Sequence, residues 1–368
     1  MGKRALIVGA GALATVAAAA VAIGVLTPGE QEPDATPVSH EGMVEGAIWV
    51  ADEASDSLTA IDAATHEVVA TLTGIRSPHN VQVSPDGASV WAVSGSDSQA
   101  IAVDAATLDL RAAAPTGAHP AHVIVTPDGR KVYTTDGDDG TVSVLDAETG
   151  DNVATIPVGA YPHGLRPSPD GTSVYVANVE DGTVSVIDTA TDERVADIEV
   201  GETPVQTAFS SDGRFAYATL RDEDALARID VAEQRLVDKV TVGSGPIQVY
   251  ATPDGSHLLV ANEGSEEDPG TTVSIIDAES FEVVSTVETG QGAHGIVIEP
   301  SSRHAYITNT YADEVAVLDL VDKEVVARIT VGERPNGISY TPVTPTVEPG
   351  SSVGLPVPEG EDHTAPDH

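Results

Sequence analysis

The chain has 368 residues, 41% of them hydrophobic, with 58 acidic residues against 17 basic ones and a formal net charge of −41. Such an excess of carboxylates excludes unassisted nucleic-acid binding, because affinity for phosphate rests on Lys and Arg. The absence of cysteine excludes disulfides, thiolate chemistry and cysteine-ligated metals. The acids are spread along the whole length, and only four of the basic residues are lysines. A lysine-poor acidic surface suits a halophilic protein, since salt screens its self-repulsion. A general cation-binding coat is the alternative, and the high-salt reading is preferred.

In chain order, residues 1–27 place Lys3 and Arg4 before 23 residues without a charge. This segment is expected to be a signal peptide or an N-terminal membrane anchor, with a small-residue site at Ala20-Val21-Ala22. Either puts the remainder in an extracytoplasmic location, secreted or membrane-anchored, at the cell surface or in the periplasm. Gly9, Gly11 and Ala14 imitate a dinucleotide fingerprint. That chemistry needs a βαβ unit, and here the apolar run ends in a Pro- and acid-rich linker, residues 28–43.

From residue 44 a repeat takes over. Pro78, Pro120, Pro162, Pro204, Pro246, Ala293 and Pro335 stand 42 residues apart, with one step of 47. An aromatic column (Trp49, Trp91, Tyr133, Tyr175, Tyr217, Tyr306, with Leu259 the exception) and an acidic column (Asp62, Asp104, Asp146, Asp188, Asp230, Asp277, Asp319) keep the same period. Each copy reads as four short strands, a to d; b and c alternate with period 2. Pro-Asp-Gly supplies the a–b turn, and the column aspartate starts the c–d turn by Asx bonding.

Four strands in about 42 residues is the pattern of a propeller blade. The first copy lacks strand a, and the last, "RPNGISYTP", has only strand a. The expected fold is therefore all-β, a seven-bladed β-propeller of four-stranded antiparallel blades over residues 44–342. The ring is closed by N-terminal strands b–d with C-terminal strand a. Residues 343–368, rich in Pro, Gly and acids, are expected to form a disordered tail. His363 and His368 in it are read as polar side chains facing solvent rather than as metal ligands.

Strand b ends in "YVAN" (175–178), "YITN" (306–309), "LVAN" (259–262), "YTTD" (133–136) and "WVAD" (49–52). With the flanking "SPDG" and "TVSVID", these segments resemble the Tyr-Val-Thr-Asn repeat of the YVTN-family, or YncE-like, β-propellers. The resemblance covers the whole repeat domain. It implies an extracytoplasmic seven-bladed propeller and no particular reaction. Fold relatives include surface-layer proteins and the propeller parts of nitrous oxide reductase and cytochrome d1-type nitrite reductase.

In such a blade, the d–a connections and b–c loops share one face of the disc. Strand a is innermost, so the residues after the column proline surround the channel mouth. His79, His163 and His294 open strand a, and Asp52 and Asp136 close strand b on the same face. These five are the candidate metal ligands, since imidazole with carboxylate suits Zn, Cu or Fe. His122 falls one residue out of phase and is expected to point away. Two copies offer Val205 and Ile247 instead of a ligand.

The acidic loops 136–140 and 263–270 lack the ligand order of a Ca loop, so hairpin chemistry is the expectation there. The second carries the five-residue insertion. Insertions favour the working face, which marks Glu266, Glu267 and Asp268 for a partner or cation contact. No phosphate loop or nucleophile elbow is present. The leading expectation is a non-enzymatic, monomeric binding scaffold for a protein or cell-surface partner, acting through the d–a/b–c face without a cofactor. The alternative is a metal-dependent enzyme or redox accessory using Cu, Zn, Fe or Ca at the channel mouth.

Overall fold

The computed structural model describes residues 44–358 and residue 360. The N-terminal signal or anchor, its linker, and His363 and His368 lie outside the described residues. Among the described residues no helix is long and apolar enough to cross a membrane.

Seven antiparallel sheets follow the repeat. Blade 4 is representative: strand a is Pro162–Pro167, b is Ser173–Asn178, c is Thr183–Asp188 and d is Glu193–Glu199. Strand b is buried along nearly its whole length, whereas d is largely exposed. The local chemistry is the one the pattern implies. In the a–b turn, Asp170 Oδ1 accepts from Ser168 Oγ (2.6 Å) and the Thr172 amide (3.0 Å), and Gly171 takes φ +72°. In the c–d turn, Asp188 Oδ1 accepts the amides of Ala190 and Thr191, both at 2.9 Å. The aromatic column fills the spaces between blades, where Trp49, Tyr133, Tyr175, Tyr217 and Tyr306 are almost wholly buried.

Closure is as expected. Pro335–Thr341 pairs antiparallel with Ala47–Asp52, with Trp49 opposite Ser339 and Ile48 opposite Tyr340. First and last copies thus complete blade 1, which leaves no open end in the ring.

The tail departs from the expectation of disorder. Ser351–Gly354 forms a fifth strand on blade 1, parallel to strand d (Val68–Thr73), with Ser352 opposite Thr71. Val353, Leu355 and Val357 alternate along it and pack on the blade 1 core. That period-2 signal sits between prolines and glycines, whose abundance masked it. The gain is burial of apolar surface and a covered outer edge.

One irregularity positions the site. Pro162 pairs with Asn178, but Leu165 pairs with Val176, so three steps on strand a meet two on strand b. The same bulge opens strand a in blades 3, 5, 6 and 7. A bulge leaves an amide without a ladder partner and re-aims its side chain. In blade 3, Thr135 Oγ1 accepts that amide from His122 (3.1 Å) and donates to the His163 carbonyl of blade 4 (2.6 Å). Thr219 and Thr308 make the same stitch in blades 5 and 7.

Candidate metal centre

Because of the bulge, both residues after the column proline face the axis. A cavity of about 10 Å³ at the channel mouth is lined by His79, His122, His163 and His294 together with Asn80, Gln206 and Gln248. His122, expected to point away, is therefore inside the cluster: strict alternation fails where a strand is bulged. One nitrogen from each of His79, His122 and His163 lies within 4.8 Å of the others, the only such three-ligand group among the described residues. The His294 ring stands 5.9 Å from that of His79, centre to centre.

The imidazoles are held in chosen orientations. His79 Nε2 and His163 Nε2 are 3.2 Å apart. The His163 Nδ1–H donates to the Val205 carbonyl (3.2 Å), leaving the Nε2 lone pair toward His79. Asn336 Oδ1 accepts from Thr310 Oγ1, so its amide nitrogen donates to His79 Nδ1 (3.1 Å), and His79 Nε2–H donates to His163. Gln206 Oε1 accepts the Thr207 amide (2.8 Å), which turns its nitrogen toward His122 Nδ1 at 3.3 Å. The His294 Nδ1–H donates to Glu263 Oε1 at 3.0 Å.

Burial, first, and then the neighbouring His79 hold the His163 imidazole down at about 3. Burial and the same neighbours lower His122 well below its ordinary value. Both rings therefore stay neutral and keep lone pairs at ordinary pH.

Two carboxylates that sequence reasoning missed supply negative charge beside the cluster. Glu53 Oε2 lies 3.7 Å from His79 Nδ1 and is also contacted by Asn336 Nδ2. Burial acts to raise the Glu53 carboxyl, but the adjacent His79 and His294 and the Asn336 amide hold it at about 2. Glu263 is likewise held low against burial by His294 and by Arg221, which stands 3.2 Å away. Glu53 and Glu263 each directly follow the last residue of the repeat motif, Asp52 and Asn262, so one column past the motif was the signal.

Asp52 and Asp136, expected among the ligands, do not join the imidazoles. Each turns into its own b–c hairpin. Asp136 accepts from Thr134 (3.0 Å), Thr141 (3.0 Å) and Ser143 (2.7 Å) hydroxyls. Asp52 accepts from Ser57 (3.3 Å) and Thr59 (2.6 Å). Asn178 and Asn262 stand in the same place in blades 4 and 6 and donate to the matching hydroxyls. Packing against the glycine that precedes strand a completes the nook; a Cβ on Gly117 would lie 2.8 Å from Asp136 Cβ. Burial, opposed by the hydroxyl bonds, raises both aspartates to about 6.

Glu266, Glu267 and Asp268 sit on the exposed insertion between strands His257–Gly264 and Pro269–Asp277. Glu266 is 3.6 Å from Arg334, and the three carboxylates do not form a ligand group.

Fold and mouth together define a closed seven-bladed propeller with an imidazole-lined channel. Residues 87–342 match the family model of the YncE-like beta-propeller, and the chain belongs to that family. No curated protein sequence matches it significantly. Among solved structures, hydrazine synthase of Kuenenia stuttgartiensis is similar at 25% identity, TM-score 0.67, over 72% of this chain and 90% of that one. A functionally unknown protein from Desulfotomaculum acetoxidans is similar in fold at 17% identity, TM-score 0.73, over 82% and 99%. A putative 6-phosphogluconolactonase from Bacteroides uniformis is similar in fold at 20% identity, TM-score 0.68, over 81% and 99%. This range of neighbours fixes the architecture and leaves the activity to the site.

Proposed function

We propose that this protein is an extracytoplasmic, non-enzymatic binding propeller whose ligand on the d–a/b–c face is a single divalent transition-metal ion. The observation that carries the reading is the convergence of His79, His122 and His163 nitrogens within 4.8 Å around the axis. A metal with nitrogen ligands at about 2.0–2.1 Å in tetrahedral geometry separates them by roughly 3.3 Å. The 3.2 Å between His79 Nε2 and His163 Nε2 is close to that edge. Binding there needs the Nε2 lone pair of both rings, so the His79 proton moves from Nε2 to Nδ1. There Glu53 Oε2, 3.7 Å away, is the nearby carboxylate to receive the N–H, the carboxylate–imidazole arrangement that supports metal ligands.

Zn and Cu suit this donor set; Ca, which takes oxygen ligands, does not. The cavity of about 10 Å³ has room for one ion or water and none for an organic substrate, which favours binding over catalysis. Lys3, Arg4 and the apolar residues 5–27 support export.

Equilibrium dialysis of the chelator-stripped full chain against Zn²⁺ or Cu²⁺ tests the reading. One ion per chain is expected, retained in His363→Ala/His368→Ala and lost in His79→Ala/His163→Ala. Sub-stoichiometric uptake, or uptake indifferent to His79 and His163, would overturn it.

A further inference from the structure

At the other end of the channel, strand a of blade 4 carries Arg166 one residue before its end, largely buried and three residues beyond His163. It lines a cavity of about 250 Å³ with Gln82, Tyr250, Ile124, Ala208 and Phe209. Its one hydrogen bond among the described residues is to the carbonyl of its neighbour Leu165 (3.1 Å). No carboxylate among the described residues pairs with it.

That isolation is unusual in a chain this acidic. Of the described basic side chains, twelve form an ion pair with Asp or Glu. The other two without one, Arg214 and Lys323, are exposed. The nearest acid along the chain, Asp170, is committed to its own turn by Ser168 and Thr172. A buried cation without a partner carries an uncompensated desolvation cost. Burial accordingly lowers the Arg166 guanidinium from its ordinary value, with Tyr250 acting against it.

We propose that this lower mouth is an anion site for a small organic carboxylate. The Arg166 guanidinium takes the carboxylate through its forked N–H donors, and the Tyr250 hydroxyl and Gln82 amide add neutral donors. Ile124, Ala208 and Phe209 form an apolar wall for a short hydrocarbon body. Tyr250 has no hydrogen-bond partner among the described residues, so its hydroxyl is free to serve. The cavity is more than twenty times the volume of the imidazole nook, which admits a molecule rather than an ion. This site is independent of the metal reading.

Ligand-detected NMR of the full chain with benzoate, benzamide and inorganic phosphate tests it. Benzoate is expected to bind once per chain, and neutral benzamide is not. Arg166→Gln is expected to weaken benzoate by ~10-fold or more, since hydrogen bonds to a charged group are worth about 1.5–3 kcal/mol, which is that factor. A far-UV circular dichroism melt reports whether the variant is folded; if it is not, Tyr250→Phe decides, with a loss of roughly 3- to 10-fold expected. Absence of benzoate binding up to about 10 mM, equal binding of benzamide, or indifference to both substitutions would overturn the proposal. Phosphate bound in preference to benzoate would overturn the carboxylate assignment.

Discussion

Asp136, closing strand b of blade 3, and His163, opening strand a of blade 4, lie on the same face of the disc. The first is locked by three hydroxyls of its own hairpin. The second reaches across the axis to His79 of blade 2. The strand-b column is filled by Asp, Asn or Ser in six blades because each hairpin needs that bond. The strand-a column changes from imidazole to aliphatic to amide around the ring, since what it builds belongs to the ring as a whole. In a propeller, uniform columns make blades and irregular ones make sites. Arg166 belongs to another irregular column, at the far end of the same strands.

That contrast can be broken by substitution. Replacing both His79 and His163 by Ala should lower affinity for Zn²⁺ by at least about 100-fold, while the melting temperature of the metal-free chain changes little; a calorimetric titration with a parallel melt checks both. Asp136→Ala should do the reverse. It strands buried hydroxyls and costs about 2–4 kcal/mol in denaturant unfolding, with Zn²⁺ stoichiometry intact. Loss of the metal in this variant would put Asp136 back among the ligands.

The buried aspartates also have a pH signature. Their carboxyls are raised from 3.8 to about 6, so their contribution to stability is present below the unfolded value and is lost as pH rises through about 6. Asp136→Asn, the side chain that blades 4 and 6 already use, removes the ionised form. It should stabilise the protein on the order of 1–3 kcal/mol at pH 8 and be nearly neutral at pH 4. Urea unfolding at the two pH values measures the difference, and a stabilisation that is the same at both would count against the buried-carboxylate account. The smallest effect sharpens the imidazole side. Gln206 only orients His122, so Gln206→Leu should weaken Zn²⁺ by about 10-fold without removing it.

The fold was legible because a period of about 42 residues repeats the column aspartate in every blade and Pro-Asp-Gly in four of them. Pro-Asp-Gly, the column aspartate and the aromatic do in space what their types imply. Ring closure followed from the incomplete first and last copies. The site was legible only in part. The place of His79, His163 and His294 at the channel mouth was readable from their position after the proline column, but His122 was misplaced because alternation assumes an unbulged strand. The bulge rests on Thr135, a residue that nothing in the strand pattern marks for that task. Glu53 and Glu263 escaped because they stand one residue beyond the motif, where one blade makes a 3-10 turn and the other extends its strand. Asp52 and Asp136 were overread for the opposite reason: a carboxylate on the right face still has two ways to turn. The edge strand at 351–354 was hidden by the prolines around it.

The most direct test is X-ray absorption at the zinc edge on the loaded full-length chain. The account predicts a nitrogen first shell at about 2.0–2.1 Å with the outer-ring scattering of at least three imidazoles, lost in His79→Ala/His163→Ala. A shell of carboxylate oxygens alone, or an imidazole signal unchanged in that variant, would contradict it.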